Sequence, residues 1–281
     1  MNKTCLILAA VALVALGAAV LFATNTSPAK QGSESSLDRI IREGVIRACW
    51  GHYPPVTSKD PKTGKVVGHM AEAFEWVAEE AGLKVEWKET SWGTFAAALQ
   101  SGECDVMISA LFAKIPRAKA IAFTTPILYV TDSVLVRKED AAKYGEFEDF
   151  NKKGIRVAVI QGESGMLIAQ KRLPNAELIT LQGSDISLAL SMVSAGRADA
   201  AVTDGWSIAQ YAKVHDDVVD LFKDKPLSIN PAGWGVRKED QELLNFLNTA
   251  IEFAEANGVF KKTERAYNAT WLHLKREYSE D

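Results

Sequence analysis

Ala98–Ser109 reads A-L-Q-S-G-E-C-D-V-M-I-S, and Met192–Thr203 reads M-V-S-A-G-R-A-D-A-A-V-T. Each is the end of an apolar helix, a glycine that stops it, two residues, an aspartate and a buried strand. The repeat decides the fold class, because the pattern around each copy also repeats. Upstream of the first copy, Val45–Cys49 reads as a strand after a short helix over Leu37–Arg42. Met70, Phe74, Val77, Ala78 and Ala81 share one helical face closed by Gly82. Leu83, Val85 and Trp87 alternate as in a half-buried strand, and Phe95, Ala98 and Leu99 form the helix that Gly102 stops. Upstream of the second copy, Arg156–Ile160 is a strand, a helix runs to Arg172, Glu177–Thr180 is a strand and Ile186–Ser194 a helix, with Asp199–Asp204 as the closing strand. Two β-α-β-α-β runs imply two α/β lobes, each with parallel strands and right-handed crossovers. Ligands of open α/β sheets bind beyond the carboxyl ends of the strands. Ser109 ends a strand in one lobe and Thr203-Asp204 in the other, so two facing lobes would make a cleft there. Glu239–Asn257 and Phe260–Trp271 read as returning C-terminal helices, expected of a chain that crosses between lobes twice.

The ends and the composition limit the function classes. Lys3 precedes an apolar run, Leu6–Phe22, and Ala23–Ser36 is polar. Residues 1–36 therefore read as a secretory signal with a cleavage site after Leu21-Phe22-Ala23, or as an uncleaved N-terminal anchor with a polar linker. Both readings export the remainder to a periplasmic or extracellular compartment. Cys5 lies before the apolar run, so no lipid-anchored cysteine is indicated. Net charge is −4 with no basic run, which argues against nucleic acid as a partner. There is no C-x-x-C, no zinc-spaced His/Cys cluster and no phosphate-cradling loop, so no metal, nucleotide or other cofactor is expected.

Arg117 sits just after Pro116 at the start of a short helix that follows the strand ending at Ser109. Its planar fork matches a carboxylate bidentately. The alternative is a solvated arginine beside Lys114 and Lys119. Asp204 is either a ligand-facing carboxylate or the N-cap of a helix that starts at Gly205-Trp206, and one residue can do both.

Several phrases together resemble the extracellular solute-binding proteins of amino-acid ABC transporters, the two-lobed Venus-flytrap, type II fold. They are L-D-R-I-I-R-E-G-V-I-R at 37–47, Y-P-P at 53–55, G-H-M-A-E-A-F at 68–74, the phrase at 98–109, R-A-K-A-I-A-F-T-T-P at 117–126, R-V-A-V-I-Q-G at 156–162 and G-R-A-D-A-A-V-T-D at 196–204. The resemblance implies one lobe of 37–134 plus 235–281, a second of 138–231 and hinge strands near 133–137 and 231–236. It implies a monomer that captures an amino acid or related zwitterionic amine by hinge closure and delivers it to a membrane permease. By position, Arg117 would grip the α-carboxylate, helped by backbone N–H groups of Ser109, Ala110 and Leu111 and by Ser164. Asp204 would grip the α-ammonium.

The departures from the family pattern concern specificity. Trp50 stands where many relatives carry an acidic or polar side-chain reader, and Phe112 where they carry a Ser or Thr that supports the carboxylate. With Tyr53 and Trp92 these residues would line the site, suiting an apolar or aromatic side chain, or a methylated amine held by cation–π contacts. Gln161 and Glu163 lie in the second-lobe turn; Glu163 either reads a cation or points to solvent. An enzyme on the same scaffold, similar to the exported cyclohexadienyl dehydratases that consume prephenate or arogenate, is the main alternative. Their G-G-T-N-E-like phrase is not matched by Gly162-Glu163-Ser164-Gly165-Met166. A ligand-sensing module for a membrane partner is a third reading. Finally, Cys49 ends one parallel strand and Cys104 precedes its neighbour, about four residues out of register. At ~3.3 Å per residue that is roughly 13 Å, beyond the ~7 Å a disulfide spans, so two free thiols are expected.

Overall fold

The protein is described by a computed structural model over residues 34–269. The expected signal or anchor segment, apart from its last three residues, and the end of the chain from residue 270 lie outside the described residues. The apolar periods place the elements as follows. Helix α1 (Ser36–Glu43) leads into β1 (Val45–Trp50), a small hairpin β2 (Ser58–Lys59) and β3 (Val66–Val67), α2 (His69–Glu80), β4 (Lys84–Glu89), α3 (Phe95–Ser101) and β5 (Val106–Phe112). A four-residue helix α4 (Ile115–Ala118) and a short β6 (Ile121–Phe123) precede the long strand β7 (Leu128–Arg137). After two 3-10 turns the second run follows: β8 (Arg156–Ile160), α5 (Ser164–Arg172), β9 (Glu177–Leu181), α6 (Ser187–Ser194), β10 (Ala200–Asp204), α7 (Gly205–Val214) and β11 (Val218–Asp220). A second long strand, β12 (Ser228–Arg237), returns, and α8 (Gln241–Ala256) and α9 (Val259–Ala266) close the described chain.

The strands are ordered β4-β1-β5-β12-β7-β10-β8-β9. Within each run the first strand is central: β1 pairs in parallel with β4 and β5, and β8 with β9 and β10. Between these parallel trios run the two long strands, antiparallel to each other over Leu128–Asp132 and Ser228–Ala232. Beyond that overlap they part. β7 pairs with β10 and β11 of the second run, and β12 with β5 and β6 of the first. The crossing thus lies a few residues upstream of the segments expected to form a hinge.

The repeated aspartate has a definite task. Asp105, fully buried, accepts from the Arg47 backbone N at 3.0 Å and takes the Arg47 side chain through Nε at 3.2 Å and Nη2 at 2.9 Å. Asp199 does the same to Arg156, with the backbone N at 2.8 Å, Nε at 3.2 Å and Nη2 at 2.8 Å. Each aspartate fastens the start of its run's third strand to the start of the first. The first run packs Phe74 edge-on against the fully buried Trp234, ring centroids 5.0 Å apart. Phe147 and Phe150, in the 3-10 turn before the second run, form a separate apolar cluster with its Val157, Val159, Met166 and Val202.

The expectation of free thiols is overturned. Cys49 and Cys104 form a disulfide, with Cα atoms 5.7 Å apart. The register estimate assumed that the chain runs straight into β5 through Cys104. Instead Gly102, in the left-handed region at φ 76°, ends α3, and the Cys104 N–H still bonds back to Ala98 O. Only at Asp105 does the chain join the sheet, its N–H donating to Arg47 O. Cys104 therefore sits on the turn over β1 rather than in line behind β5. An exported protein meets the oxidising conditions in which such a bond persists.

Candidate functional site

The carboxyl ends of the parallel strands converge on one cavity, lined by Tyr53, Trp92, Ala110, Phe112, Arg117, Glu163, Ile186 and Asp204. Tyr53 follows β1, Trp92 follows β4, and Ala110 and Phe112 belong to β5. Arg117 lies on α4, Glu163 caps α5, Ile186 precedes α6 and Asp204 ends β10. Alternation along β5 turns Ala110 and Phe112 to the cavity and leaves Ser109 and Leu111 buried behind them. Ala110 has φ 49°, close to where β12 shifts register between Gly233 and Gly235. A non-glycine residue in that region costs on the order of 1 kcal/mol.

Groups of the two runs meet across the cavity. Arg117 donates from Nη2 to Gly162 O at 2.7 Å and from Nη1 to Phe112 O at 3.2 Å. Tyr53 Oη donates to Asp204 Oδ1 at 3.0 Å. Ser184 receives two bonds: its Oγ accepts from His52 N at 3.0 Å, and its carbonyl from Trp92 Nε1 at 2.9 Å. Gly162, φ 76°, lies so close to Trp92 that an added Cβ would stand 2.3 Å from the Trp92 carbonyl, so only glycine fits. The remaining space gives the centre of a water molecule about 10 Å³, room for a single water. In this arrangement the protein's own groups occupy both of its charged ends.

Two of the charged residues are helix caps. Asp204, at the N-cap of α7, accepts from Ser207 N at 2.8 Å. Glu163, at the N-cap of α5, accepts from Gly165 N at 2.6 Å through Oε2. Burial pushes the Asp204 carboxyl up to about 6. Burial, and then the carboxylates of Asp132 and Asp204, push Glu163 up to about 8. Burial and the adjoining Asp204 raise the Tyr53 hydroxyl well above its ordinary value, and burial draws Arg117 downward.

Five residues singled out from the sequence lie outside this lining. Trp50 is buried in the core at the end of β1, its carbonyl taken by Thr90 N. Ser109 Oγ accepts from Gly51 N at 2.9 Å and from Thr57 Oγ1 at 2.7 Å. Leu111 is core. Gln161 packs its side chain beside Gly93. Ser164 donates to Asp132 Oδ1 at 2.7 Å. Sequence reasoning missed Ile186, which lacked any polar signal, and Asp132. That aspartate is fully buried in β7, where the long strands cross. It also accepts from Lys114 Nζ at 2.9 Å, Ser228 Oγ at 2.6 Å and Asn230 Nδ2 at 2.8 Å. Asp132 therefore ties the residue next to Glu163 to a lysine three residues before Arg117. Among the described residues no group of three or more His, Cys, Asp or Glu is placed to hold a metal ion.

Residues 46–270 match the model of the bacterial extracellular solute-binding proteins, family 3. The chain belongs to this family. It is 29% identical over 213 residues to a probable amino-acid ABC transporter-binding protein of Haemophilus influenzae, covering 75% of this chain and 79% of that one. The crystal structure of an ancestral amino acid-binding protein, a precursor of cyclohexadienyl dehydratase, is 33% identical with a TM-score of 0.73. That match covers 83% of this chain and 99% of the other. A cyclohexadienyl dehydratase of Pseudomonas aeruginosa is 21% identical over 237 residues, 84% of this chain and 87% of the enzyme. As a member of an extracellular solute-binding family, the protein is exported.

Proposed function

We propose that this solute-binding protein captures an amino acid, or a related zwitterionic amine, in the cavity between the two strand trios and delivers it, as a monomer, to an ABC permease. Arg117 grips the carboxylate and Asp204 the ammonium. One observation carries the reading: a guanidinium from the first run and a carboxylate from the second line one cavity at the strand ends. Both are desolvated, so each charge-assisted pair with a ligand is strengthened. The names of the amino-acid-binding relatives support the same ligand class. Entry requires the Arg117–Gly162 and Tyr53–Asp204 bonds to give way. The crossing of β7 and β12, where the chain passes twice between trios, is the place for a hinge between lobes of about 37–134 plus 235–281 and 138–231.

The test is a calorimetric and thermal-shift panel of amino acids and betaines on wild type, Arg117→Ala and Asp204→Asn. Arg117→Ala should weaken every carboxylate ligand by tenfold or more. Asp204→Asn should weaken α-amino acids while sparing ligands that lack the ammonium. Equal stabilisation of all three proteins by one ligand would remove the clamp. A buried acid poised near neutrality, Glu163, is the observation that favours the dehydratase alternative. Consumption of prephenate or arogenate would establish turnover. Mass spectrometry of the mature N-terminus distinguishes a released form from one tethered by residues 1–36.

A further inference from the structure

Glu163 is left over when Arg117 and Asp204 are read as a zwitterion clamp. Its side chain does not point to solvent: the residue is only 4% exposed and lines the same cavity as the other two. Oε2 is held by Gly165 N, and Oε1 has no hydrogen-bond partner among the described residues. Two carboxylates therefore share the cavity with one guanidinium. Arg117 neutralises neither by contact. Its donors go to the carbonyls of Phe112 and Gly162, and among the described residues no ion pair within 4.0 Å joins it to Glu163 or Asp204. A second cation, Lys114, is nearby in sequence but is committed to Asp132 at 2.9 Å. The charged groups acting on Glu163 are thus Arg117 from α4, Asp132 from β7 and Asp204 from β10, one positive and two negative. The remaining walls, Tyr53, Trp92, Phe112 and Ile186, are aromatic or aliphatic and suit an alkyl chain ending in a cation.

We propose that Glu163 takes a second cation of the ligand, so that the site selects dibasic α-amino acids over neutral and acidic ones. This rests on the clamp reading of Arg117 and Asp204. With the ligand carboxylate on Arg117, the α-ammonium on Asp204 and the side-chain cation on Glu163, every buried charge meets an opposite one. A neutral amino acid leaves Glu163 protonated and gains nothing from it, and an acidic one sets a further carboxylate against Asp204 and Glu163. In the empty protein burial and the two neighbouring carboxylates keep a proton on Glu163 near neutral pH, with its pKa up at about 8. A ligand cation takes that proton's place, so binding at pH 7 releases close to one proton per site.

The experiment is titration calorimetry of ligand-stripped wild type and Glu163→Gln with arginine, lysine, glutamine and leucine, in two buffers of different ionisation enthalpy. Wild type is expected to prefer the dibasic pair at least tenfold and to release a proton with them alone. In Glu163→Gln both the preference and the release should collapse. A wild type that prefers glutamine or leucine, or a variant that keeps the full dibasic preference, overturns the role of Glu163 and leaves the clamp standing. If no amino acid of any charge binds, the clamp itself is wrong and Glu163 falls with it. Should the variant fail to fold, proton release by wild type still decides: none with a bound dibasic ligand refutes the assignment.

Discussion

The buried Glu163 draws the stability of the empty protein toward the acid side of neutrality. Its ordinary carboxyl value is 4.5, and in the fold it stands at about 8. Between those values the folded chain keeps a proton that the unfolded chain has lost. The contribution of this group is therefore fully present below pH 4.5 and drains away as pH rises through 8. Each unit inside the window costs up to about 1.4 kcal/mol. Between pH 5 and 7 the loss sums to roughly 2–3 kcal/mol for this one group, or roughly 5–10 °C in Tm for a domain of this size. Asp204, raised from 3.8 to about 6, adds a smaller loss of the same sign at the acid end of the window.

The assay is thermal unfolding of ligand-free wild type and Glu163→Gln from pH 5 to 8.5. Glutamine can still accept from Gly165 N but does not titrate, so the variant should lose less stability on going from acid to neutral pH. The two curves should converge or cross, with the variant gaining on wild type by several degrees between pH 5 and 8. Saturating a wild type that binds dibasic ligands should remove most of the slope, because the ligand cation holds Glu163 ionised. Parallel wild-type and variant curves would refute the placement of a neutral carboxyl in this cavity.

Replacing Cys49 and Cys104 together by alanine opens a loop of 55 residues. The chain-entropy relation puts the loss at about 4 kcal/mol, readable as a lower midpoint in urea, and an unchanged midpoint would contradict the bond. Asp132→Ala leaves the Lys114 ammonium, 14% exposed, without its partner. The cost should be about 3–5 kcal/mol, while Lys114→Met added to Asp132→Ala should recover much of it. A double-mutant cycle in urea that shows no coupling would separate the two.

Much of this fold was legible because its signals are local. An apolar stripe, a glycine stop and a strand can each be read within a dozen residues, and the two trios follow from the repeat. The aspartate of the repeated phrase was visible, but its partner was not, since Arg47 and Arg156 lie 58 and 43 residues upstream. The long strands were only partly readable for the same reason. Of β12 only the stretch near 231–236 was expected as a strand, and its partners Leu128–Asp132 stand a hundred residues away. The disulfide was missed because a register argument extrapolates a straight strand through a residue that is still in the turn.

The site was legible in its charges and less so in its directions. Asp204, at a strand end, and Arg117, on the short helix after β5, were candidates whose proposed roles came from the family resemblance, whereas the order of side chains along β5 needed the actual alternation to exclude Ser109 and Leu111. Glu163 was ambiguous because a cap and a ligand reader look alike in sequence. The structure shows why they coincide. Glu163 and Asp204 each end a strand-to-helix link of the second run, and each has an oxygen bound to the first turn of its helix, at Gly165 N and Ser207 N. The N-terminal helix dipole favours a carboxylate at both places, and the parallel trio brings both helix starts to the same cavity. Capping thus fixes the two carboxylates before any ligand arrives. The helix ends alone do not neutralise them, since both carboxyl pKa values remain raised. On the proposed dibasic reading, a ligand cation that displaces the Glu163 proton is held by the cap that starts α5, and the α-ammonium by the cap that starts α7.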